Sequence, residues 1–325
     1  MRVMILSTAF SGMAQRLLGE LKLLEHDIAE HYDLDEDVLR AQVEDFQPEV
    51  ILCPFLTQRI PEDVWRNYLC LIVHPGIEGD RGASSLDWAI SEGADEWGVT
   101  LLQADSEMDA GDIWGTQNFP LRRAGKTSIY KREVTTAAID LIKKALVAIQ
   151  SNMKVARSLD YDQAHVKGRL RPTMKQVDRT IDWQSDTTGQ VVNKLNASDS
   201  RPGIRSFING VEVSLFGAAE EPNLRGEPGT ILAISRGSYC CATSDGAVWI
   251  KQLKCRNHDE IAPIKLPATM VLRKICSEEF LQTIPGAQDS SAVDEFWIER
   301  RGATAYVYFN FYNGAMNTQQ CIEMK

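Results

Sequence analysis

The chain has 325 residues, 44% hydrophobic and 25% charged, with a formal net charge of −10, the balance of a soluble globular protein with enough length for about two domains. Residues 1–130 hold 10 Lys and Arg against 23 Asp and Glu, a net of −13, and the remainder holds 25 against 22, a net of +3; with no local excess of basic residues, a nucleic-acid partner is not expected. No run of about 18 apolar residues suggests a membrane span, and the opening MRVMILSTAF lacks the small-residue cleavage pattern of a signal peptide.

In chain order, the apolar run 2–7 predicts a buried strand. Ser11 is placed to cap a helix carrying Leu17, Leu18, Leu21 and Leu24 at helical spacing. A second strand fits 27–32, and Leu39, Val43 and Phe46 mark another helix. The continuous apolar runs 50–53 and 70–73 predict two more strands. This alternation predicts an α/β fold, a doubly wound parallel sheet with right-handed crossovers, covered on both faces. A long helix is predicted over 127–150. Residues 151–180 are mixed and polar. Beyond 203, Gly210, Gly217, Gly229, Gly237 and Gly246 punctuate short β-type runs, the pattern of a small β-barrel. Residues 256–295 read as irregular, and a last strand-like run covers 305–311. The expected division is a core over 1–155, a linker over 156–180, a barrel over 181–270, and a connection to a further domain over 271–325. The seven cysteines form no C-x-x-C pair and are odd in number, which points to free thiols in a reducing cytoplasm. The five histidines are scattered, so no metal site is expected.

In doubly wound sheets ligands bind beyond the carboxyl ends of the strands. His74 stands where the fourth strand stops, ahead of the turn-forming Pro75-Gly76. A further strand over 99–103 runs into a loop bearing Asp105, Glu107, Asp109 and Asp112. A histidine beside a loop carboxylate suits acyl transfer from nitrogen, which needs a proton for the leaving amine and a stabilised oxyanion. The carboxylate would raise the histidine pKa and fix its tautomer. From the residues alone, a structural histidine and a solvated acidic loop remain the alternative.

The strings Ile72-Val73-His74, Asp80-Arg81-Gly82-Ala83, Gly98-Val99-Thr100 and Met108-Asp109-Ala110-Gly111-Asp112 stand in the order of a known family's motifs. They resemble the formyltransferases that use 10-formyltetrahydrofolate, with an Asn-x-His motif, an RGA-type helix start, a GVT strand and a D-x-GD loop. The resemblance covers about residues 1–255, because SRPGIRSFINGVEV and EPGTILA are similar to the family's C-terminal barrel. It implies His74 and Asp109 as the catalytic pair. It also implies Phe55, Leu56 and Ile60 along the pterin and Arg59 near the glutamyl tail, a packed loop being the alternative for these four. Backbone groups around Ser106 and Met108 would recognise the pterin. The family's Asn aligns with Ile72, which has no donor. Losing one such donor costs about 2.7–4 kcal/mol of transition-state stabilisation, so either another donor, such as protonated His74, compensates or the reaction differs from formylation of methionyl-tRNA or a purine precursor.

The run from Tyr308 through Asn310 to Asn317 resembles the opening of an enoyl-CoA hydratase-like (crotonase-like) domain. That pairing, with HPG-x-x-GDRGASSLDWAI and NASDSRPG, is similar to the HypX/HoxX hydrogenase-maturation family. The resemblance implies formyl transfer from 10-formyltetrahydrofolate to coenzyme A, toward the carbon monoxide ligand of the [NiFe]-hydrogenase centre, with hydrogenase maturation proteins as partners. Gln15 and Arg132, on helices facing the expected crevice, are candidates for contact with the coenzyme A arm, as are Ser198 and Asn310 by position. Exposed helix faces are the alternative for Gln15 and Arg132. Arg81 is expected to pair with Asp80 or Asp112. A conventional formyltransferase acting on methionyl-tRNA or an amino sugar, and a non-catalytic folate-binding or docking module, remain the rival functions.

Overall fold

Residues 1–32, 35–258, 261–286, 296–309, 316 and 318–324 are described by the structure, a computed structural model that divides into two units, Met1–Asp178 and Arg179–Lys325. Asn310 lies outside the described residues.

The first unit opens with β1 (Arg2–Ser7), buried from Val3 onward, and α1 (Gly12–Leu23), whose first turn is capped by the Ser11 hydroxyl accepting from the Ala14 N–H at 3.2 Å. The helix buries Met13, Ala14, Leu17 and Leu21. Leu24 lies just past its end and is half exposed. There follow β2 (Asp27–His31), α2 (Glu36–Phe46), β3 (Val50–Phe55), α3 (Glu62–Asn67), β4 (Cys70–His74), α4 (Ser85–Ser91), β5 (Glu96–Gln103) and β6 (Ile113–Pro120). They build one sheet of order β2-β1-β3-β4-β5-β6. The first four strands pair in parallel, as the α/β alternation predicts. β5 and β6 join antiparallel, so the sheet is mixed. The helix expected over 127–150 is three pieces: α5 (Lys126–Ile129), a π-helical turn over Tyr130–Val134, and α6 (Thr135–Gln150). The π turn inserts an extra residue, which no apolar spacing announces.

Residues 156–174 are not the linker expected from their polarity. They form a strap bonded to the loop that follows β4. Arg157 exchanges both backbone hydrogen bonds with Ile113, and its guanidinium pairs with the buried Glu78 carboxylate at 2.5 and 2.7 Å. The Tyr161 hydroxyl donates to the Gly79 carbonyl at 3.0 Å, and the Gly168 N–H donates to the Glu78 carbonyl at 3.0 Å. Arg81 and Arg171 run alongside each other, with Arg81 N–H donating to Arg169 O at 3.1 Å and Arg171 N–H to Arg81 O at 2.9 Å. Polar composition misled because these side chains satisfy charges on the core rather than facing water throughout. The short α7 (Gln176–Arg179) marks the end of the unit.

In the second unit, α8 (Thr188–Ala197) starts with a reciprocal capping box between Thr187 and Gln190. β7 (Ile204–Ile208), β8 (Val211–Glu221), β9 (Ile231–Ser235), β10 (Ser238–Ala242) and β11 (Ala247–Cys255) form an antiparallel sheet of order β7-β8-β11-β10-β9, with β12 (Lys265–Pro267) also on β11. Val191 and Leu195 of α8 share a buried core with Val213, Leu215, Val248 and Ile250 of the sheet. The stretch read as irregular contributes α9 (Ala268–Ile275), whose Val271 and Leu272 enter the same core, and α10 (Glu278–Thr283). β13 (Phe296–Arg301) and β14 (Thr304–Phe309) pair as an antiparallel hairpin, ahead of α11 (Thr318–Glu323). Among the described residues no helix is long and apolar enough to cross a membrane.

A Cβ on Gly168 would collide with the backbone of Gly79 and Asp80. Gly168→Ala is therefore expected to cost about 1–3 kcal/mol, the range for overpacking. Gly189→Ala, where a Cβ meets open space, serves as the control, and thermal unfolding of the two variants checks the difference.

Candidate active site

His74 ends β4, and Ile72 shares its face of the strand two residues earlier. The turn that follows leaves room for the imidazole because Gly76 has no side chain; a Cβ there would overlap the ring itself. The turn is tied down by Trp97 Nε1 donating to the Pro75 carbonyl at 2.9 Å and by the Thr100 hydroxyl donating to the Gly76 carbonyl at 2.9 Å. His74 is 4% exposed.

Two carboxylates flank the ring. Asp109 Oδ1 lies 3.5 Å from Nδ1, and Asp80 Oδ1 lies 3.3 Å from Nε2. Asp109 is held in the left-handed region, at φ +56°, and its second oxygen accepts from the Gly82 N–H at 3.1 Å. Burial alone would pull the His74 pKa down, but the ion pairs with Asp109 and Asp80 outweigh it and lift the group to about 9. Burial pushes Asp109 up, yet the His74 partner and the Gly82 N–H hold it below the ordinary carboxylate value. The ring is thus an imidazolium at neutral pH, beside a carboxylate that stays ionised.

Asp109 borders a cavity of about 290 Å³, close to the lower end of the range for small-molecule sites, about 300–1,000 Å³. Leu56, Ile60, Ile72, Leu102 and Met108 supply apolar walls, and Gln58, Arg59, Glu62, Trp65 and residues 103–107 complete the lining. His74 stands behind Asp109 rather than on the wall. Apolar sides with a polar edge and a charged pair at one end suit a flat heteroaromatic ligand carrying a reactive group.

The structure brings together His74, Asp109, Leu56, Arg59, Ile60, Ser106 and Met108 around this cavity. Phe55 is not on its wall; the Phe55 carbonyl accepts from the Ser7 hydroxyl at 3.1 Å and the Thr8 N–H at 2.8 Å at the end of β3. Gln15 is exposed on α1 and donates locally to the Phe10 carbonyl at 3.2 Å. Arg132 is exposed in the π turn. These two sit on neighbouring elements, since Arg16 next to Gln15 donates to Thr136, one turn past Arg132, at 3.1 Å. Ser198 is fully buried in the second unit and its hydroxyl accepts from Arg179 at 3.2 Å, so it offers no open contact point. Arg81 pairs neither with Asp80 nor with Asp112. Its guanidinium reaches Glu107 at 2.6 Å and the Met108 carbonyl at 3.1 Å, bracing the loop that carries Asp109. Asp80 and Arg171 escaped sequence reasoning: Asp80 read as a partner of its neighbour, and Arg171 lies about a hundred residues from His74. Among the described residues no group of His, Cys, Asp and Glu is arranged to hold a metal ion.

Residues 16–146 match the formyl transferase family model, and residues 173–264 match the model of the formyl transferase C-terminal domain. The hydrogenase maturation factor HoxX of Bradyrhizobium diazoefficiens is 40% identical over 323 residues, 99% of this chain and 55% of that protein. HypX from Aquifex aeolicus, solved in complex with tetrahydrofolic acid, superimposes with a TM-score of 0.88 at 38% identity, covering 100% of this chain and 56% of its own. The methionyl-tRNA formyltransferase of Thermotoga maritima is 30% identical over 188 residues, 57% of this chain and 58% of that enzyme. The chain therefore spans little more than half the length of these relatives.

A histidine whose folded pKa is raised stabilises the fold fully below its ordinary value of 6.5 and loses that contribution as the pH climbs through about 9. The thermal midpoint is thus expected to fall across this window, and His74→Gln to flatten the slope. Unfolding scans of both proteins at stepped pH check it.

Proposed function

The chain belongs to the formyl transferase family, and from that premise we propose that its first unit takes the formyl group from 10-formyltetrahydrofolate. The observation that carries this reading is the protonated His74–Asp109 pair set at one end of an apolar-walled cavity. The apolar walls suit the faces of a pterin, and the backbone groups of residues 103–106 at the cavity edge suit its polar rim. The folate-bound Aquifex relative supports the same choice of ligand.

Transfer breaks a carbon–nitrogen bond, so the departing nitrogen needs a proton and the carbonyl oxygen gathers negative charge. His74 holds a proton at neutral pH, and its positive charge lies next to the place where the oxyanion develops. Asp109 orients the ring, shares the proton and faces the cavity. The 3.5 Å separation is long for a hydrogen bond, as catalytic contacts often are before substrate closes them. Ile72 adds an apolar wall where an amide would donate, leaving the charge on His74 to do the stabilising.

For the acceptor we propose coenzyme A, whose thiolate attacks the formyl carbon. The product would feed the carbon monoxide ligand of a [NiFe]-hydrogenase, with hydrogenase maturation proteins as partners in the cytoplasm. The similarity to the HoxX and HypX maturation factors supports this reading.

The test is tetrahydrofolate release from 10-formyltetrahydrofolate, with and without coenzyme A. His74→Ala and Asp109→Asn are each expected to slow it about 10²–10⁴-fold, the span of general acid–base contributions. Because the proton donor is spent once His74 titrates, the rate is expected to fall as pH rises through about 9. Unchanged turnover in both variants overturns the assignment. Formylation of methionyl-tRNA in place of coenzyme A would reassign the acceptor.

A further inference from the structure

A neutral imidazole has one N–H and one lone pair; only the imidazolium donates from both nitrogens. His74 faces a carboxylate oxygen at each nitrogen, Asp109 at 3.5 Å and Asp80 at 3.3 Å. Were the ring neutral, its lone pair would point at one of the two anions in a site almost without water.

Asp80 is 2% exposed, and all of its contacts are built. Its Oδ1 receives the Ser85 hydroxyl from α4 as well as the imidazole. Its Oδ2 accepts from Arg171 Nε at 2.9 Å. Arg171 comes from the strap, where its backbone is bonded to Arg81 and its guanidinium lies 5.5 Å from the centre of the Trp97 ring. Its far end pairs with Glu92 at 2.8 Å. Gly82 is essential to this approach, because a Cβ there would overlap the Arg171 carbonyl. The charged groups around the ring are therefore Asp109 from the β5–β6 loop, Asp80 from the loop after β4, Arg171 behind Asp80, Glu92 behind Arg171, and Arg81 bracing the Asp109 loop. One guanidinium offsets Asp80 from behind, and the two anions that face the ring leave a deficit that the imidazolium fills.

We propose that Asp80, gripped by Arg171 of the strap, is a second positioning carboxylate for His74, fixing the ring between two anions and keeping both of its nitrogens protonated. This rests on the formyl-transfer reading for its purpose: a ring charged at neutral pH replaces the donor that Ile72 cannot supply. The charge state itself is measurable without substrate.

The two residues are expected to act on His74 with opposite signs. In the full chain with isotope-labelled histidine, the His74 ring signal is identified by its loss in His74→Gln and followed by NMR from neutral to alkaline pH. Asp80→Asn removes an anion and is expected to lower the His74 midpoint by about one pH unit or more. The alkaline limb of formyl release is expected to move down by the same interval. Arg171→Gln removes a cation from behind Asp80 and is expected to raise the midpoint above that of the parent protein. Where Asp80→Asn does not fold, the upward shift in Arg171→Gln carries the test alone. Midpoints that stay put, or that move in the same direction in both variants, overturn the proposal. Opposed shifts in a chain that never releases tetrahydrofolate would uphold the charge clamp and sink the formyl-transfer reading instead.

Discussion

A buried imidazole between two carboxylates is favoured as a cation at neutral pH, and several contacts of the first unit converge on that arrangement. Burial works against the charge and the two anions work for it, with the anions prevailing. The arrangement holds because each anion has further donors: the Gly82 N–H on Asp109, and the Ser85 hydroxyl and Arg171 on Asp80. Left without those donors, buried carboxylate oxygens would lack hydrogen-bond partners, which is costly away from water.

The sheet brings these groups together in a way that a purely parallel one would not. β5 runs against β4, so the acidic loop departs opposite the start of β4, where Ala104 N–H donates to the Cys70 carbonyl at 2.8 Å. The loop must then return along the sheet to set Asp109 beside His74, and the left-handed backbone at Asp109, with the Arg81 brace to Glu107 and Met108, holds it in that return. Because strand side chains alternate, Ile72 and His74 share one face. That is how one becomes cavity wall and the other the charge behind it. On the other flank, the strap covers the loop from Glu78 to Ser84 and seals Asp80 from water.

Formyl transfer to a thiol and to an amine ask different things of such a site. Both need a proton for the departing folate nitrogen, the part proposed for the His74–Asp109 pair. On the proposed reading, an apolar residue at position 72 leaves oxyanion stabilisation to a nearby positive charge instead of an oriented neutral donor, and charge-assisted contacts are roughly twice as strong as neutral ones. The second carboxylate then becomes intelligible, since a charge that replaces a donor must be present throughout the working pH range.

The sequence by itself determined the alternating strands and helices of the first unit, because buried parallel strands need continuous apolar runs and their helices need apolar stripes. It also pointed to His74 and Asp109, which sit in short ordered motifs, and the structure sets their side chains 3.5 Å apart. Only the tertiary structure decided the antiparallel joining of β5 and β6, since β5, buried on both faces, carries the same continuous apolar run as a parallel strand. The role of residues 156–174 was likewise hidden: a polar stretch looks the same whether its charges meet solvent or buried partners. Asp80 and Arg171, ninety-one positions apart, acquire meaning only when the fold brings them together beside one imidazole. A charge balance of that kind is a property of distances, which composition does not encode.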